Sequence, residues 1–93
     1  MHISGKQVAA ARELLGITQV ELAEATGLSF ITIHNFEANK SEPYRATLEK
    51  ILTELERRGI EFTNGTGIGV RLNFEKAAAF ARTNTQSKNE SPR

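Results

Sequence analysis

The chain contains no cysteine, and no apolar run in its 93 residues approaches the roughly 20 residues of a membrane-spanning helix. Without cysteine there is no disulfide framework, no thiolate metal site and no thiol nucleophile. The start, MHISGKQVAA, lacks the basic flank and the long apolar stretch of a signal peptide. We therefore expect a cytoplasmic protein that does not enter membranes.

A strong charge of either sign is also missing. The chain has twelve Lys and Arg residues and eleven acidic residues, all of them Glu, so the net charge is +1. Domains that bind nucleic acid are often strongly basic, but a local basic patch is enough to contact phosphates. With 39% hydrophobic residues, the chain fits one small globular domain with a modest core.

Histidine, a frequent catalytic residue and metal ligand, is scarce. His2 and His34 are the only histidines, and neither lies in a carboxylate-rich stretch of the sequence. No Ser/His/acid arrangement is visible, so we predict no enzyme activity, no metal, no cofactor and no small-molecule ligand. Gly65, Gly67 and Gly69 imitate a phosphate-binding G-x-G loop, but no clearly capped helix follows directly, which favours turn glycines.

Two capping boxes predict the first two helices. Ser4–Gln7 begins one near residue 5, and Thr18–Glu21 begins a second. Gly16 ends the first helix, and the second reaches about Thr26. The apolar residues predicted to face inward on these helices are Val8, Ala11, Leu14, Leu15, Val20, Leu22 and Ala23.

Ser29 is the predicted N-cap of a third helix, which runs to about Ala38. A fourth helix runs from Tyr44 or Arg45 to Arg58, with the clearest amphipathic pattern in the chain. Its inward face is predicted to carry Leu48, Ile51, Leu52 and Leu55.

After the fourth helix, two short β-prone segments, IEFT and IGVRL, are joined by NGTG, which predicts a hairpin. One face of this hairpin is apolar and carries Ile60, Phe62, Val70 and Leu72. The hairpin either covers the helical core or pairs its open edge with a second subunit, and we favour this dimer, with those four residues as dimerisation residues.

A short helix capped by Asn73 follows the hairpin in the prediction. Its apolar side would carry Phe74, Ala77, Ala78 and Ala81. The end of the chain, TNTQSKNESPR, is polar and has no apolar anchor, so we expect it to be disordered.

The spacing of three residues predicts a helix-turn-helix unit. Ala23 is small enough for close helix packing, Gly27 allows the tight turn, and Ile33 supplies a branched apolar wedge on the second helix. The small core is completed by Leu22, Leu28 and Phe36. In such a unit the second helix protrudes and can enter the major groove of DNA.

The segment ARELLGITQVELAEATGLSFITIHNFEANKSEP resembles the Cro/C1-type (XRE) helix-turn-helix domain, whose members share a pattern close to ARxLLGxTQxELAxxxGxSxxTIxxxExGxxxP. The resemblance covers residues 8 to about 58, and GIEFTNGTGIGVRL is similar to a C-terminal hairpin of many small bacterial members. It implies a mostly α fold: a four- to five-helix, lambda-repressor-like domain over residues 1–59, a hairpin over 60–73, and a short helix with a polar tail over 74–93.

The resemblance also implies the residues that contact DNA. They are Gln19, Ser29, Phe30, Ile31, Thr32, His34, Asn35, Lys40 and Arg45. Gln19 would contact a phosphate or a base, residues 29–32 would face the groove, and His34 would touch a phosphate. Asn35 would reach a base edge and suits adenine, while Lys40 and Arg45 would hold the DNA backbone. An ion pair of Arg12 with Glu37 is expected to be structural.

Phe30 and Ile31 stand where related domains often carry polar residues. Phe30 is open to partial burial, whereas Ile31 is expected to be exposed; an exposed apolar side chain either contacts thymine methyls or forms a patch for a protein partner. The sequence thus favours a dimeric repressor that binds a pseudo-palindromic double-stranded operator. The alternative is a protein-interaction module, similar to an antiactivator or an antitoxin.

Overall fold

Five helices and one two-stranded hairpin follow one another in a computed structural model that describes residues 2–89, with side chains as far as Thr83. The elements are α1 (Gly5–Leu15), α2 (Gln19–Thr26), α3 (Phe30–Glu37), α4 (Arg45–Arg57), β1 (Ile60–Thr63), β2 (Gly69–Leu72) and α5 (Phe74–Asn89). The predicted mostly helical fold, with a hairpin after the fourth helix, is confirmed.

Local sequence signals set the ends of α1 and α2. Ser4 Oγ accepts a hydrogen bond from the Gln7 backbone N–H at 3.2 Å, and Gln7 Oε1 accepts one from the Ser4 N–H at 3.0 Å. Thr18 and Glu21 form the same reciprocal box at the start of α2. Gly16 ends α1 in the left-handed region, with φ 71°. Both predicted capping boxes are therefore present.

The helices enclose one apolar core. Its buried members are Ile3, Val8, Ala11, Leu22, Ala23, Ile33, Phe36, Ile51, Leu55 and Ile60. Two residues predicted to face inward do not: Leu14 is 48% exposed and Val20 is 50% exposed. Val20 lies about 200° around the helix from Leu22, so both cannot face the core. Leu14 lies about 120° from Val8 and falls outside the buried stripe for the same reason.

Gly5 allows α1 to approach α3 closely. A Cβ at this position would overlap the carbonyl oxygen of Phe36 and lie 3.1 Å from the Cα of Glu37. Because backbone atoms occupy this space, no side chain fits without moving one helix. The first turn of α1 therefore fixes the C-terminal end of α3.

The hairpin pairs Ile60 with Leu72 and Phe62 with Val70 in antiparallel register. Its apolar face packs against the helical core: Ile60 is only 1% exposed, and the other three side chains are partly buried. The buried amide of Gln7 ties α1 to the hairpin, since its Nε2 lies within hydrogen-bond distance of the carbonyl oxygens of Thr63 (3.3 Å) and Gly69 (3.1 Å) and of the Asn64 side-chain oxygen (3.2 Å).

Helix α5 begins at the predicted cap, where Asn73 Oδ1 accepts from the Lys76 N–H at 3.0 Å. The helix continues to Asn89, past the point where we expected a disordered tail, and residues 90–93 lie outside the described residues. The predicted apolar side is also wrong at three of its four positions: Phe74 is 82% exposed, Ala78 and Ala81 are exposed as well, and only Ala77 is partly buried. Instead, Phe80 lies beneath the guanidinium groups of Arg57 and Arg58, 4.7 and 4.9 Å from its ring centre.

Candidate nucleic-acid interface

Helices α2 and α3 meet at the tight turn predicted from the sequence. Gly27 closes α2 with φ 74°, and the Ser29 side chain caps α3 by accepting from the Thr32 N–H at 3.1 Å. Ala23 is 5% exposed and Ile33 is fully buried, so the small residue and the branched wedge occupy the core between the helices. The spacing Ala23–Gly27–Ile33 thus forms the unit that it predicts.

The two faces of α3 differ sharply. Ile33 and Phe36 are buried, whereas Phe30 is 42% exposed and Ile31 is 59% exposed. Because residues four apart lie above one another on a helix, the outer face carries two adjacent stripes. One is the Phe30–His34 stripe, whose rings stack with centroids 5.6 Å apart, and the other joins Ile31 to Asn35.

An ion pair fixes α3 against α1 behind this outer face. Arg12 Nε and Nη2 donate to the two carboxylate oxygens of Glu37, each at 3.0 Å, and Arg12 Nη1 donates to the Ile17 carbonyl oxygen. Both side chains are largely buried. The hydrogen bond with Glu37 is the main cause that raises the pKa of Arg12 above its ordinary value. The expected ion pair is confirmed.

Glu37 also fixes the side chain of Gln19. Gln19 Nε2 donates to Glu37 Oε1 at 3.0 Å, and Gln19 Oε1 lies 3.4 Å from His34 Nδ1. A carboxylate only accepts, so the amide nitrogen must face Glu37 and the amide oxygen must face His34. Nδ1 of His34 then carries the proton in this contact, and the second N–H of Gln19 Nε2 remains for another acceptor.

This network changes the interpretation of two predicted contacts. Gln19 keeps a donor for a phosphate, as predicted, but His34 lies between Phe30 and Gln19 with Nδ1 directed at Gln19. In this position His34 can orient the Gln19 side chain, and this role fits the geometry at least as well as the predicted phosphate contact.

The Ile31–Asn35 stripe shares a surface depression with the start of α4. The depression is lined by Ile31, Thr32, Asn35, Ser41, Glu42, Pro43, Tyr44 and Thr47. Among the described residues, the Asn35 side chain forms no hydrogen bond, so its amide is available to a base edge. Tyr44 is 88% exposed here and is not among the predicted contacts, although the sequence shows an aromatic residue next to Pro43.

The basic residues of this surface are few and local. Residues 8–62 contain six Lys or Arg and nine Glu. Arg12, Arg57 and Arg58 are held in ion pairs with Glu37 or Glu54. Lys40 and Arg45 are exposed around the α3–α4 loop, and neither forms an ion pair within the part of the chain that the structure describes.

The start of α4 adds backbone donors beside these cations. Tyr44 is its N-cap and makes no side-chain hydrogen bond to the helix. Among the described residues no side chain accepts from the first-turn N–H groups of α4, so these groups are open to an acceptor such as a phosphate oxygen. Asn39, at φ 63°, reverses the chain between α3 and this helix.

The predicted dimerisation residues lie apart from the candidate DNA surface. Ile60 belongs to the core of its own chain, so its side chain is not available to a second subunit. Phe62, Val70 and Leu72 pack on the same core and are partly covered by it. A dimer formed through this hairpin would therefore rely on the backbone at its edge and on residues outside the apolar face.

Two short helices locked by a glycine turn, with one face of the second exposed, define a helix-turn-helix protein. A family model described as "Helix-turn-helix" matches residues 8–62, and the chain belongs to this family of Cro/C1-type DNA-binding regulators. A comparison with curated proteins finds no significant match. No helix among the described residues has the length and apolar character needed to cross a membrane.

Proposed function

We propose that the protein is a cytoplasmic, dimeric transcriptional repressor that binds a pseudo-palindromic operator in a sequence-specific manner. One observation carries this proposal: α3 is locked on its inner face, while its outer face presents the exposed Ile31 and the partly exposed Asn35, and the exposed Lys40 and Arg45 follow in the chain. A helix held in this way can enter a major groove without reorganisation.

The contacts with the DNA phosphates come from residues on either side of α3 and not from α3 itself. Lys40 and Arg45 supply charge on one side, together with the open N–H groups of α4. On the other side, Gln19 offers its remaining amide N–H, oriented by Glu37. The recognition helix itself then needs no cation, and phosphate contacts position it while Asn35 supplies the base contact.

The hairpin supports the dimer. A two-stranded sheet leaves backbone groups along its edges, and such edges pair readily with a second chain. A two-fold dimer would place two recognition helices about 34 Å apart, one turn of DNA, which matches a palindromic operator. A domain that covers a promoter in this way represses by steric blocking.

Titration of the protein against its own promoter region at several salt concentrations tests this function. If each subunit neutralises two phosphates, through Lys40 and Arg45, a dimer should give a slope of log K against log salt of about −4. Sedimentation of the complex should show two chains for each operator. The absence of any sequence preference would overturn the proposal.

Two variants separate the assigned roles. Asn35→Ala should lose discrimination between operator and unrelated DNA, because its amide reads a base edge. Lys40→Ala should weaken binding to all sequences alike and reduce the salt slope by about 1 for each subunit. Equal effects of the two substitutions on specificity would contradict these roles.

A second function, binding of a regulatory protein as an antiactivator or antitoxin-like module, is favoured by a different observation. Val20 and Phe30 are both about half exposed, and they line a common cleft with Ile17. The excess of Glu over Lys and Arg in residues 8–62 also opposes general DNA affinity. In this case Phe30→Ala and Val20→Ala would abolish complex formation with that protein, and DNA titrations would show no operator.

A further inference from the structure

We infer that α3 recognises the 5-methyl group of a pyrimidine through Ile31, one or two base pairs from the adenine that Asn35 contacts. This inference rests on the proposed function and names the kind of operator sequence that the site selects.

The chemistry of the outer face of α3 carries this inference. The helix, FITIHNFE, contains no Lys or Arg, so it lacks the side chains that most often recognise guanine. Ile31 is the most exposed large apolar side chain of the helix, at 59%. The 5-methyl group is the apolar group that pyrimidines present in the major groove. Contact with it removes both apolar surfaces from water.

The position of Ile31, and not that of Phe30, suits a contact with the methyl group next to the base that Asn35 contacts. The Phe30 ring stacks on His34 and borders the cleft with Val20, away from Asn35. Ile31 borders the depression that also contains Asn35 and Tyr44. The apolar side chain of Ile31 and the amide of Asn35 thus lie on the same stripe of α3.

The spacing of that stripe fixes where the methyl group must lie. Ile31 and Asn35 are four residues apart, which is about 6 Å along the helix axis. Successive bases are separated by about 3.4 Å. The methyl group contacted by Ile31 should therefore lie within two base pairs of the adenine.

The experiment begins with selection of the preferred operator from random duplexes by the full-length protein. Each thymine of the selected half-site is then replaced singly by uracil, which removes only the 5-methyl group. Burial of one methyl group corresponds to about a fourfold change in affinity. We expect a loss of this size at one or two positions within two base pairs of an adenine that Asn35→Ala no longer distinguishes.

Two protein variants provide the matched comparison. Ile31→Ala should bind the thymine and uracil duplexes equally at the sensitive position. Val20→Ala, which removes an apolar side chain from α2 that is 50% exposed, against 59% for Ile31, should keep the fourfold difference. An unchanged thymine-to-uracil ratio in Ile31→Ala would overturn the inference.

Thymine and 5-methylcytosine present the same group, so both are compared at the sensitive position. A fourfold preference for 5-methylcytosine over cytosine, beside that for thymine over uracil, would show that the methyl group itself is recognised. A preference confined to thymine would support the inference for the methyl group of thymine alone. Equal binding of thymine and uracil at every position overturns this inference alone, whereas a selection without any preferred sequence overturns the proposed function with it.

Discussion

The helix-turn-helix end and the hairpin end of the molecule both pack on the apolar core, but they differ in how much of each is buried there. Helix α3 is anchored by apolar side chains, since Ile33 and Phe36 are buried in the core. The turn end of the hairpin is tied to α1 by one buried amide, that of Gln7, which reaches the carbonyl oxygens of Thr63 and Gly69.

The difference matters for function. Apolar packing holds the inner face of α3 and leaves its outer face free for a ligand, so substitutions on that outer face should change binding more than stability. Of the four side chains on the apolar face of the hairpin, Ile60 alone is buried, and the turn end is held by the polar side chain of Gln7, more than 50 residues away in sequence. We therefore expect the hairpin to unfold locally before α2 and α3 separate.

The largest effect is expected from Gly5→Ala, which disturbs the helix-turn-helix end. The added Cβ overlaps the Phe36 carbonyl, so α1 and α3 must separate. We expect the free energy of unfolding to fall by about 3 kcal/mol and the melting temperature to fall by roughly 15 °C. Thermal and urea unfolding followed by circular dichroism would measure both.

Gly65→Ala is the matched control for that substitution. Gly65 lies in the hairpin turn and is not at a positive φ, and a methyl group added to its Cα would meet no atom within 4 Å. Its replacement should change the free energy of unfolding by less than about 0.5 kcal/mol. Similar losses in the two variants would show that the close approach of α1 to α3 is not what limits stability.

Gln7→Met should give the next largest effect, at the hairpin end. Met retains the length of the side chain but leaves the carbonyl oxygens of Thr63 and Gly69 without their donor, at a cost of about 2 kcal/mol. Hydrogen exchange should accelerate in β1 and β2 and stay unchanged in α2 and α3. Equal acceleration at both ends would contradict their separate anchoring.

The sequence predicts the helix-turn-helix end well because short-range signals determine it. The caps at Ser4 and Thr18 act across three residues, and Ala23, Gly27 and Ile33 lie within one motif. Periodicity failed at Val20 because two residues 200° apart were assigned to one face, an error that helical geometry alone would have excluded.

Contacts between distant segments were not predictable in the same way. Nothing local shows that Gly5 lies against the backbone of Phe36, or that the amide of Gln7 reaches the hairpin besides serving the capping box. In the candidate site, Asn35 and Lys40 follow from the motif, but the link from Glu37 through Gln19 depends on how α2 and α3 pack.

A smaller effect is expected from Glu54→Gln, near the end of α4. Burial raises the pKa of the Glu54 carboxyl, but hydrogen bonds from Arg57 and Arg58 outweigh burial and hold it below the ordinary 4.5. A lowered pKa in the folded state stabilises the protein above pH 4.5, and this contribution is lost as the pH falls below that value.

The Gln variant should therefore be about 1 kcal/mol less stable at pH 7 and should lose less further stability than the wild type between pH 5 and about pH 3. Urea midpoints across this range would measure the difference. Glu56→Gln, on an exposed position of the same helix, is the control and should follow the wild-type profile. A parallel decline of wild type and Glu54→Gln would contradict the assignment.

The smallest expected effect concerns His34 and applies to DNA affinity rather than to folding. If His34 orients Gln19 through Nδ1, His34→Asn should preserve binding, because the Asn amide places an N–H near the position of Nδ1. His34→Gln, whose amide lies nearer the position of Nε2, should bind operator about threefold more weakly, the effect of one modest hydrogen bond. A direct phosphate contact through Nε2 predicts the opposite order.

The Gln19→Ala background completes this test. If His34 acts only through Gln19, His34→Gln should have no further effect once the Gln19 amide is gone, whereas a phosphate contact would weaken binding additively. The salt slope gives an independent measure. If the His34 side chain neutralised a phosphate, the magnitude of the slope would be larger by about 0.9 for each subunit, whereas a His34 that only orients Gln19 would leave it unchanged. Additive losses together with a reduced slope in His34→Asn would place the ring on the DNA backbone and remove it from the Gln19 network.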